Sequence, residues 1–352
     1  MKTVHVSVPS SEYDVRIGSG ALDLLGETVR NKTKARRCVV VSGNNVFPLY
    51  GERTADILRS AGLETSCFVY PGGEEAKTLQ NYGELLNFLT QAHMTRTDCL
   101  VALGGGVTGD LTGFAAATYQ RGVPFVQLPT TLLAAVDSSV GGKTAINLPA
   151  GKNQAGAFHQ PTEVLCDTDL FKTLPERELR AGFAEVIKYA VIGDADLFDL
   201  LMRQFDLEEI IKICVEMKAE IVAEDELDYG RRRLLNLGHS FGHAIEVCSN
   251  YTILHGEAVA IGLAMMCRAA VRRGFCDSAS CDAVIQLLKD FSLPTETDIP
   301  PQDLYRVALL DKKFASGNMH LIVPKSIGWC VVQEVPTDEL LGWITDGMES
   351  KA

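Results

Sequence analysis

Cys99-Leu-Val-Ala-Leu103-Gly-Gly-Gly106-Val-Thr-Gly-Asp110 passes from a short apolar run directly into a glycine turn, and a helical pattern through Phe114 and Ala117 follows. An apolar run of this length bounded by glycine predicts a buried strand, and strand, turn, helix in that order predicts part of a parallel α/β sheet. Glycine at the junction lets backbone approach a ligand closely, and the free N–H groups of a helix start attract phosphate oxygens. The string satisfies Gly-x-Gly-x-x-Gly, but about 20 residues on, where a ribose-binding acid is expected, there is apolar strand around Val126. A turn that serves only tight helix-to-sheet packing therefore stays open as an alternative.

Outward from this junction the same alternation repeats. Arg37–Val41, Thr65–Tyr70 and Pro124–Leu128 read as further strands, and apolar spacings of three and four across Val46–Leu58 and Leu79–Leu89 predict the helices between them. Such a sheet is covered on both faces and binds ligands at its strand C-termini. After about residue 170 the pattern becomes long helical stretches: Pro175–Ile192, Leu207–Glu224, Arg233–Cys248, Glu257–Arg273 and Cys281–Phe291. Strand-like segments return only near Met319–Val323 and Trp329–Val332. The expectation is an α/β Rossmann-like domain over 1–172 and a mainly α-helical domain over 173–352, packed around a shared cleft.

Composition narrows the function classes. The 352 residues carry 33 Lys and Arg against 45 Asp and Glu, a net charge of −12, which argues against broad binding to nucleic acid or to an anionic membrane. The first residues alternate like a strand and show no export signal, and no apolar stretch reaches the roughly 18 uncharged residues of a spanning helix. A cytoplasmic protein is expected. The ten cysteines are scattered through apolar runs without a Cys-x-x-Cys pair, so buried reduced thiols are the reading.

Three of the seven histidines fall in one span, Asn236-Leu-Gly-His239-Ser-Phe-Gly-His243 followed by Leu254-His255-Gly-Glu257. His239 and His243, four apart, share one face of a helix, and His255 would start the next. Two imidazoles and one carboxylate make an open zinc site with a position left for substrate. Glu185 stands out as the carboxylate because apolar residues flank it, and a charge in that setting needs a partner. If only one of His239 and His243 binds metal, the other is free as an acid or base. The spacing lacks the glutamate that follows the first histidine in zinc proteases, which disfavours peptide hydrolysis.

Pro71-Gly-Gly-Glu74-Glu-Ala-Lys77-Thr78 follows a strand and offers a carboxylate to ribose hydroxyls and a lysine to a phosphate. Asp137-Ser-Ser-Val-Gly-Gly-Lys143-Thr144 ends like a P-loop, but the required first glycine is Asp137, so ATP hydrolysis is rejected. Lys143, Lys152 and Asn153, with Lys188, Lys218 and Arg232, would form a local cationic pocket for an anionic substrate.

Together these segments resemble the 3-dehydroquinate synthase family of sugar-phosphate cyclases. The resemblance runs from the loops near residue 42 to Asp311-Lys312-Lys313 and is most specific over residues 104–122, 127–161, 183–190, 234–246 and 254–262. It implies an N-terminal NAD-binding domain, a helical metal-binding domain, Zn2+ (with Co2+ as a substitute) and a homodimer. The implied ligands are Glu185, His239 and His255. Asp137, Lys143, Asn153, Lys188, Lys218, Arg232, Asn236, His243 and Lys312 would line the substrate, with Lys152 beside them, and Arg121 would reach the phosphate of the neighbouring subunit's substrate. Asn45, Glu74, Lys77, Gly105, Gly106, Val107 and Asp110 would hold NAD, with Thr130, Thr131, Lys143 and Lys152 nearby.

The implied reaction belongs to the shikimate pathway. It converts 3-deoxy-D-arabino-heptulosonate 7-phosphate to 3-dehydroquinate and phosphate by transient oxidation, β-elimination, re-reduction and an aldol closure, which makes the enzyme a lyase. Ser42-Gly-Asn-Asn45 departs from the family where an acid near the adenine ribose is common, which bears on discrimination between NAD and NADP. Metal-dependent polyol dehydrogenases and sister sugar-phosphate cyclases are the competing readings, and the former would release NADH.

Overall fold

The computed structural model describes residues 1–149, 151–310 and 317–349. They fall into two compact units, Met1–Pro175 with Ile211–Leu227, and Glu176–Ile210 with Asp228–Ala352.

The first unit is built on β1 (Lys2–Val8), β2 (Ser11–Ile17), α1 (Leu25–Lys32), β3 (Arg37–Gly43), α2 (Phe47–Ser60), β4 (Glu64–Tyr70), α3 (Leu79–Gln91), β5 (Cys99–Gly104), α4 (Gly106–Thr118), β6 (Phe125–Pro129), β7 (Lys143–Leu148), β8 (Gly151–Phe158) and β9 (Glu163–Cys166). Seven strands form one sheet in the order β1-β2-β9-β6-β5-β3-β4. All neighbours are parallel except the β1–β2 hairpin, whose Val4, Val6, Tyr13 and Val15 face inward by simple alternation.

The central strands read as continuous apolar runs because both faces are covered. Val40, Val101, Leu103, Val126 and Leu128 pack with Leu22, Leu25, Val29 and Leu58 on one face. On the other, Val39, Val41, Leu100 and Phe125 pack with Leu85, Leu89, Leu111 and Ala115. Each such side chain contributes roughly 1.5–3 kcal/mol by leaving water. The β7–β8 hairpin lies outside the main sheet and was not anticipated from the sequence, since its exposed and half-buried positions carry no strict alternation.

The second unit contains α5 (Glu176–Gly193), α6 (Ala195–Leu201), part of α7 (Leu207–Glu224), α8 (His239–Cys248), α9 (His255–Arg272), α10 (Ser278–Asp290), α11 (Pro301–Ala308), a β10–β11 hairpin (Asn318–Ser326, Trp329–Pro336) and α12 (Leu340–Met348). The continuous helix expected over Arg233–Cys248 is in fact broken. A 3-10 turn, Arg231–Asn236, precedes Gly238 in a left-handed conformation, and α8 starts only at His239. Residues from Ile211 onward in α7 pack with the first unit, although the sequence pattern grouped this helix with the second. This part of the helix buries Ile211, Cys214, Val215 and Val222, Lys218 donates to the carbonyl of Asp137 at 2.7 Å, and beyond the helix Glu226 accepts from Ser10 and Gln160. None of the ten cysteines forms a disulfide; seven are buried as expected, whereas Cys67, Cys248 and Cys276 are half-buried. Among the described residues, no helix is long and apolar enough to cross a membrane.

Candidate active site

Glycines decide how closely three helices of the second unit approach. A Cβ at Gly256 in α9 would overlap the Ala181 carbonyl of α5, and one at Gly262 would overlap the Gly238 carbonyl at the start of α8. At Gly238 itself a Cβ would sit 2.8 Å from the Val259 carbonyl, and φ is +77°. Backbone-to-backbone packing therefore brings the first residues of α8 and α9, His239 and His255, onto the middle of α5.

There Glu185 is fully buried, at 0% exposure. His239 Nε2 lies 3.4 Å and His255 Nε2 3.3 Å from the same oxygen, Oε1, while Lys188 Nζ lies 2.5 Å from Oε2. Neither carboxylate oxygen has a partner in hydrogen-bonding geometry, despite these short ion-pair distances. One donor atom from each of Glu185, His239 and His255 lies within 4.8 Å of the others. A buried carboxylate in contact but not in hydrogen-bonding geometry, with two imidazole nitrogens aimed at it, fits a divalent cation.

The other ring nitrogens are occupied as metal ligands require. His239 Nδ1 faces the Leu237 carbonyl at 3.1 Å, which can only accept, so the hydrogen is assigned to Nδ1 and the Nε2 lone pair points inward. His255 Nδ1 faces Glu246 Oε2 at 3.1 Å. Burial pushes His239 down to about 4, against the pull of Glu185. Burial also opposes protonation of His255, but the two carboxylates beside it, Glu185 and Glu246, outweigh that and raise it to about 10. For Glu185, desolvation is overcome by Lys188 and His239, which hold the carboxyl well below the usual range.

His243, one turn along α8, places its ring 5.4 Å from that of His239 and 5.9 Å from that of His255. It is half-buried, and with Glu246 and His255 it forms a second group whose donor atoms lie within 4.8 Å of one another. Glu246 escaped the sequence reading. Its signal was a carboxylate three positions after His243 inside the apolar stretch Ala244-Ile-Glu-Val247, a charge that needs a buried partner. Arg232 is buried at 1% exposure in the 3-10 turn, and Asn236 donates to the Arg233 carbonyl at 3.1 Å.

In the first unit, β3 leads to β4 on one side while β5 lies on the other, so the strand order reverses between β3 and β5. Ligands of open parallel sheets bind outside the strand ends at such a point. Gly43 closes β3 and Gly104 closes β5 there. A Cβ at Gly105 would press on Thr131 at 3.1 Å and one at Gly106 on Ser138 at 3.0 Å, so glycine lets those side chains pack against the turn, and the first N–H groups of α4 lack helical partners. Thr130 N–H donates to the Gly104 carbonyl at 3.0 Å, and Thr131 Oγ1 accepts from Ala134 N. The Asn45 amide fills the space that a Cβ at Gly43 or Gly72 would take. This cradle fits a dinucleotide.

The residues expected to bind anions form linked groups. Lys77, 3% exposed, donates to Asp110 and, at 2.5 Å, to Asn153 Oδ1. Burial raises the Asp110 carboxyl despite Lys77. Lys152 Nζ lies 3.5 Å from Glu74 Oε1. Lys218 also donates to the carboxylate of Asp137, which a π-helical turn, Ala134–Ser138, presents. Lys143 is exposed at the start of β7. Arg121 is exposed on a turn where both Gln120 and Arg121 adopt positive φ, +50° and +65°, a strained backbone of the kind that clusters at functional sites. Lys312 lies outside the described residues.

Family comparison bears directly on this arrangement. Residues 67–181 match the model for the N-terminal part of 3-dehydroquinate synthase, and residues 182–314 match that for its C-terminal part. The chain belongs to the 3-dehydroquinate synthase family. The N-terminal match takes in Glu74, Lys77 and the glycine turn, and the C-terminal match takes in Glu185, His239, His243 and His255. A 3-dehydroquinate synthase of Pelobacter propionicus is 44% identical over 97% of this chain and 98% of its own length. Among solved structures, ValA, a 2-epi-5-epi-valiolone synthase from Streptomyces hygroscopicus with NAD+ and Zn2+ bound, is 29% identical with a TM-score of 0.87, covering 97% of this chain and 98% of that one. A 2-deoxy-scyllo-inosose synthase complexed with carbaglucose-6-phosphate, NAD+ and Co2+ is 25% identical with the same TM-score, covering 97% and 99%.

Proposed function

We propose that the chain acts as a 3-dehydroquinate synthase in the shikimate pathway, converting 3-deoxy-D-arabino-heptulosonate 7-phosphate to 3-dehydroquinate and phosphate with NAD and Zn2+, or Co2+ in its place. The observation that carries this reading is the buried Glu185 carboxylate with two imidazole Nε2 atoms on one of its oxygens. When bound, the metal supplies Lewis acidity to a substrate oxygen and NAD supplies an oxidant that is regenerated within the turnover.

The chain's own residues do the rest. Glu185, His239 and His255 hold the metal. His243 accepts the proton that leaves the substrate hydroxyl on oxidation and can return it on reduction. The ketone acidifies the adjacent C–H, so phosphate departs with the C–O electron pair as that proton is taken. Lys152, Asn153, Lys188, Arg232, Asn236 and Lys312 hold the carboxylate and phosphate in the geometry for elimination, and Asp137 paired with Lys218 orients the pocket. Lys143 reaches both substrate and nucleotide. Glu74, Lys77, Asp110, Asn45, Thr130, Thr131 and the turn Gly105–Val107 hold NAD.

In this reading residues 1–172 form the nucleotide-binding domain and 173–352 the metal- and substrate-binding domain. The protein works in the cytoplasm as a homodimer, binds neither nucleic acid nor membrane, and Arg121 serves the neighbouring subunit's phosphate. Mixing purified protein, Zn2+ and catalytic NAD with the heptulosonate phosphate tests it. Stoichiometric phosphate without accumulating NADH supports a cyclase; NADH accumulation with polyols and no phosphate would make the protein a dehydrogenase.

A further inference from the structure

We infer that Asn147 is a positioning residue that clamps the Glu74–Lys77 turn to the hairpin tip carrying Lys152 and Asn153, and so sets the nucleotide and substrate contacts together. The inference rests on the nucleotide reading above and adds a residue to it.

Asn147 sits at the irregularity of the β7–β8 hairpin, where the register shifts between Ile146 and Leu148. Its backbone N–H leaves the ladder and donates to the Lys77 carbonyl at 2.8 Å. Its side chain uses both ends. Nδ2 donates to Glu74 Oε1 at 2.7 Å and reaches the Glu74 carbonyl at 3.5 Å, while Oδ1 accepts from the Asn153 backbone N–H at 2.9 Å. Asn153 has a φ of +53°, a left-handed conformation that asparagine tolerates better than most side chains, and this restraint holds it there. The restraint also aims the Asn153 amide at Lys77. One half-buried asparagine thus spans two loops, and only a group with a donor at one end and an acceptor at the other can do so.

Two variants separate the two ends, read first by NAD binding to the zinc-loaded protein without substrate. Asn147→Ala removes both contacts, and NAD affinity falls about tenfold. KM for the sugar phosphate also rises, while kcat changes little and zinc affinity is unchanged. Asn147→Asp keeps size and the acceptor for Asn153 but turns a carboxylate oxygen toward Glu74, so NAD affinity falls at least as far while KM stays near the parent value. In a Glu74→Ala background, Asn147→Asp causes no further loss of NAD affinity. If Glu74→Ala weakens NAD while Asn147→Asp binds it like the parent, the inference is overturned and the nucleotide reading stands. If Glu74→Ala itself leaves NAD affinity intact, the role of this loop in nucleotide binding is wrong, and the inference falls with it.

Discussion

The His255 imidazole lies between two carboxylates, with Nδ1 3.1 Å from Glu246 Oε2 and Nε2 3.3 Å from Glu185 Oε1. Glu246 therefore fixes which nitrogen faces the site. Glu246→Ala should weaken zinc binding by about 10–100-fold in a chelator competition. Glu246→Gln keeps an acceptor for Nδ1–H and should recover most of that loss; a glutamine variant as weak as alanine would make Glu246 a ligand or a charge partner instead.

The ligand and acid/base roles separate by variant. His255→Ala should remove both bound zinc and activity, measured by metal analysis of the purified protein. His243→Ala should retain zinc and lower kcat by about 10²–10⁴-fold. Zinc lost from the latter variant would move His243 into the ligand set, in keeping with the alternative grouping of His243, Glu246 and His255.

Arg121 provides a test of the dimer. Arg121→Ala alone should be nearly inactive, and mixing it with His243→Ala after reversible dissociation should restore roughly a quarter of parental activity, because mixed dimers hold one intact site of two. No recovery would mean that Arg121 serves its own chain.

Glycine substitutions should split by environment. Gly256→Ala drives a methyl into the Ala181 backbone and should cost about 1–3 kcal/mol or more in denaturant unfolding, with weakened zinc binding. At Gly83, inside α3, a Cβ meets nothing within 4 Å, so Gly83→Ala should stabilise by about 0.5–1 kcal/mol.

Asp98 sets an acid limit on stability. It is 1% exposed and accepts from Arg36 N, Arg37 N, Thr95 N and Thr95 Oγ1 at 2.7–3.0 Å. Burial raises its carboxyl, but these donors outweigh it and hold it below the usual 3.8. A depressed acid stabilises the fold above its unfolded value and loses that contribution as pH falls through its folded one. Asp98→Asn should thus cost about 2–3 kcal/mol at pH 7, and the gap to the parent should close below about pH 4. An equal gap at both pH values would refute the assignment.

The alternation of Cys38–Val41, Leu100–Leu103 and Phe125–Leu128 with amphipathic helices was readable because burial on both faces leaves an unbroken apolar run. His239 and His243 are readable from their clustering and four-residue spacing, and Glu185 from the apolar residues that flank it. What escaped depends on contacts distant in sequence. Helical periodicity runs through Leu234-Leu235 into Phe241, hiding the break that Gly238 makes, because that break answers to the backbone of α9 rather than to local propensity. The share of α7 that joins the first unit makes contacts of the same kind, such as Lys218 with Asp137, 81 positions away. Asn147 carried no signal at all, since its role exists only once two loops meet.

His239 and His255 are each the first residue of a helix, and Gly238 offers α8 no side-chain cap. Helix ends fray first, so two imidazoles so placed tie their own secondary structure to whatever they bind. A cation shared with Glu185 would pin both first turns to α5, and its removal would release them while the rest of each helix stays closed. Amide hydrogen exchange over residues 239–242 and 255–258 would then count bound metal directly, with no substrate and no turnover.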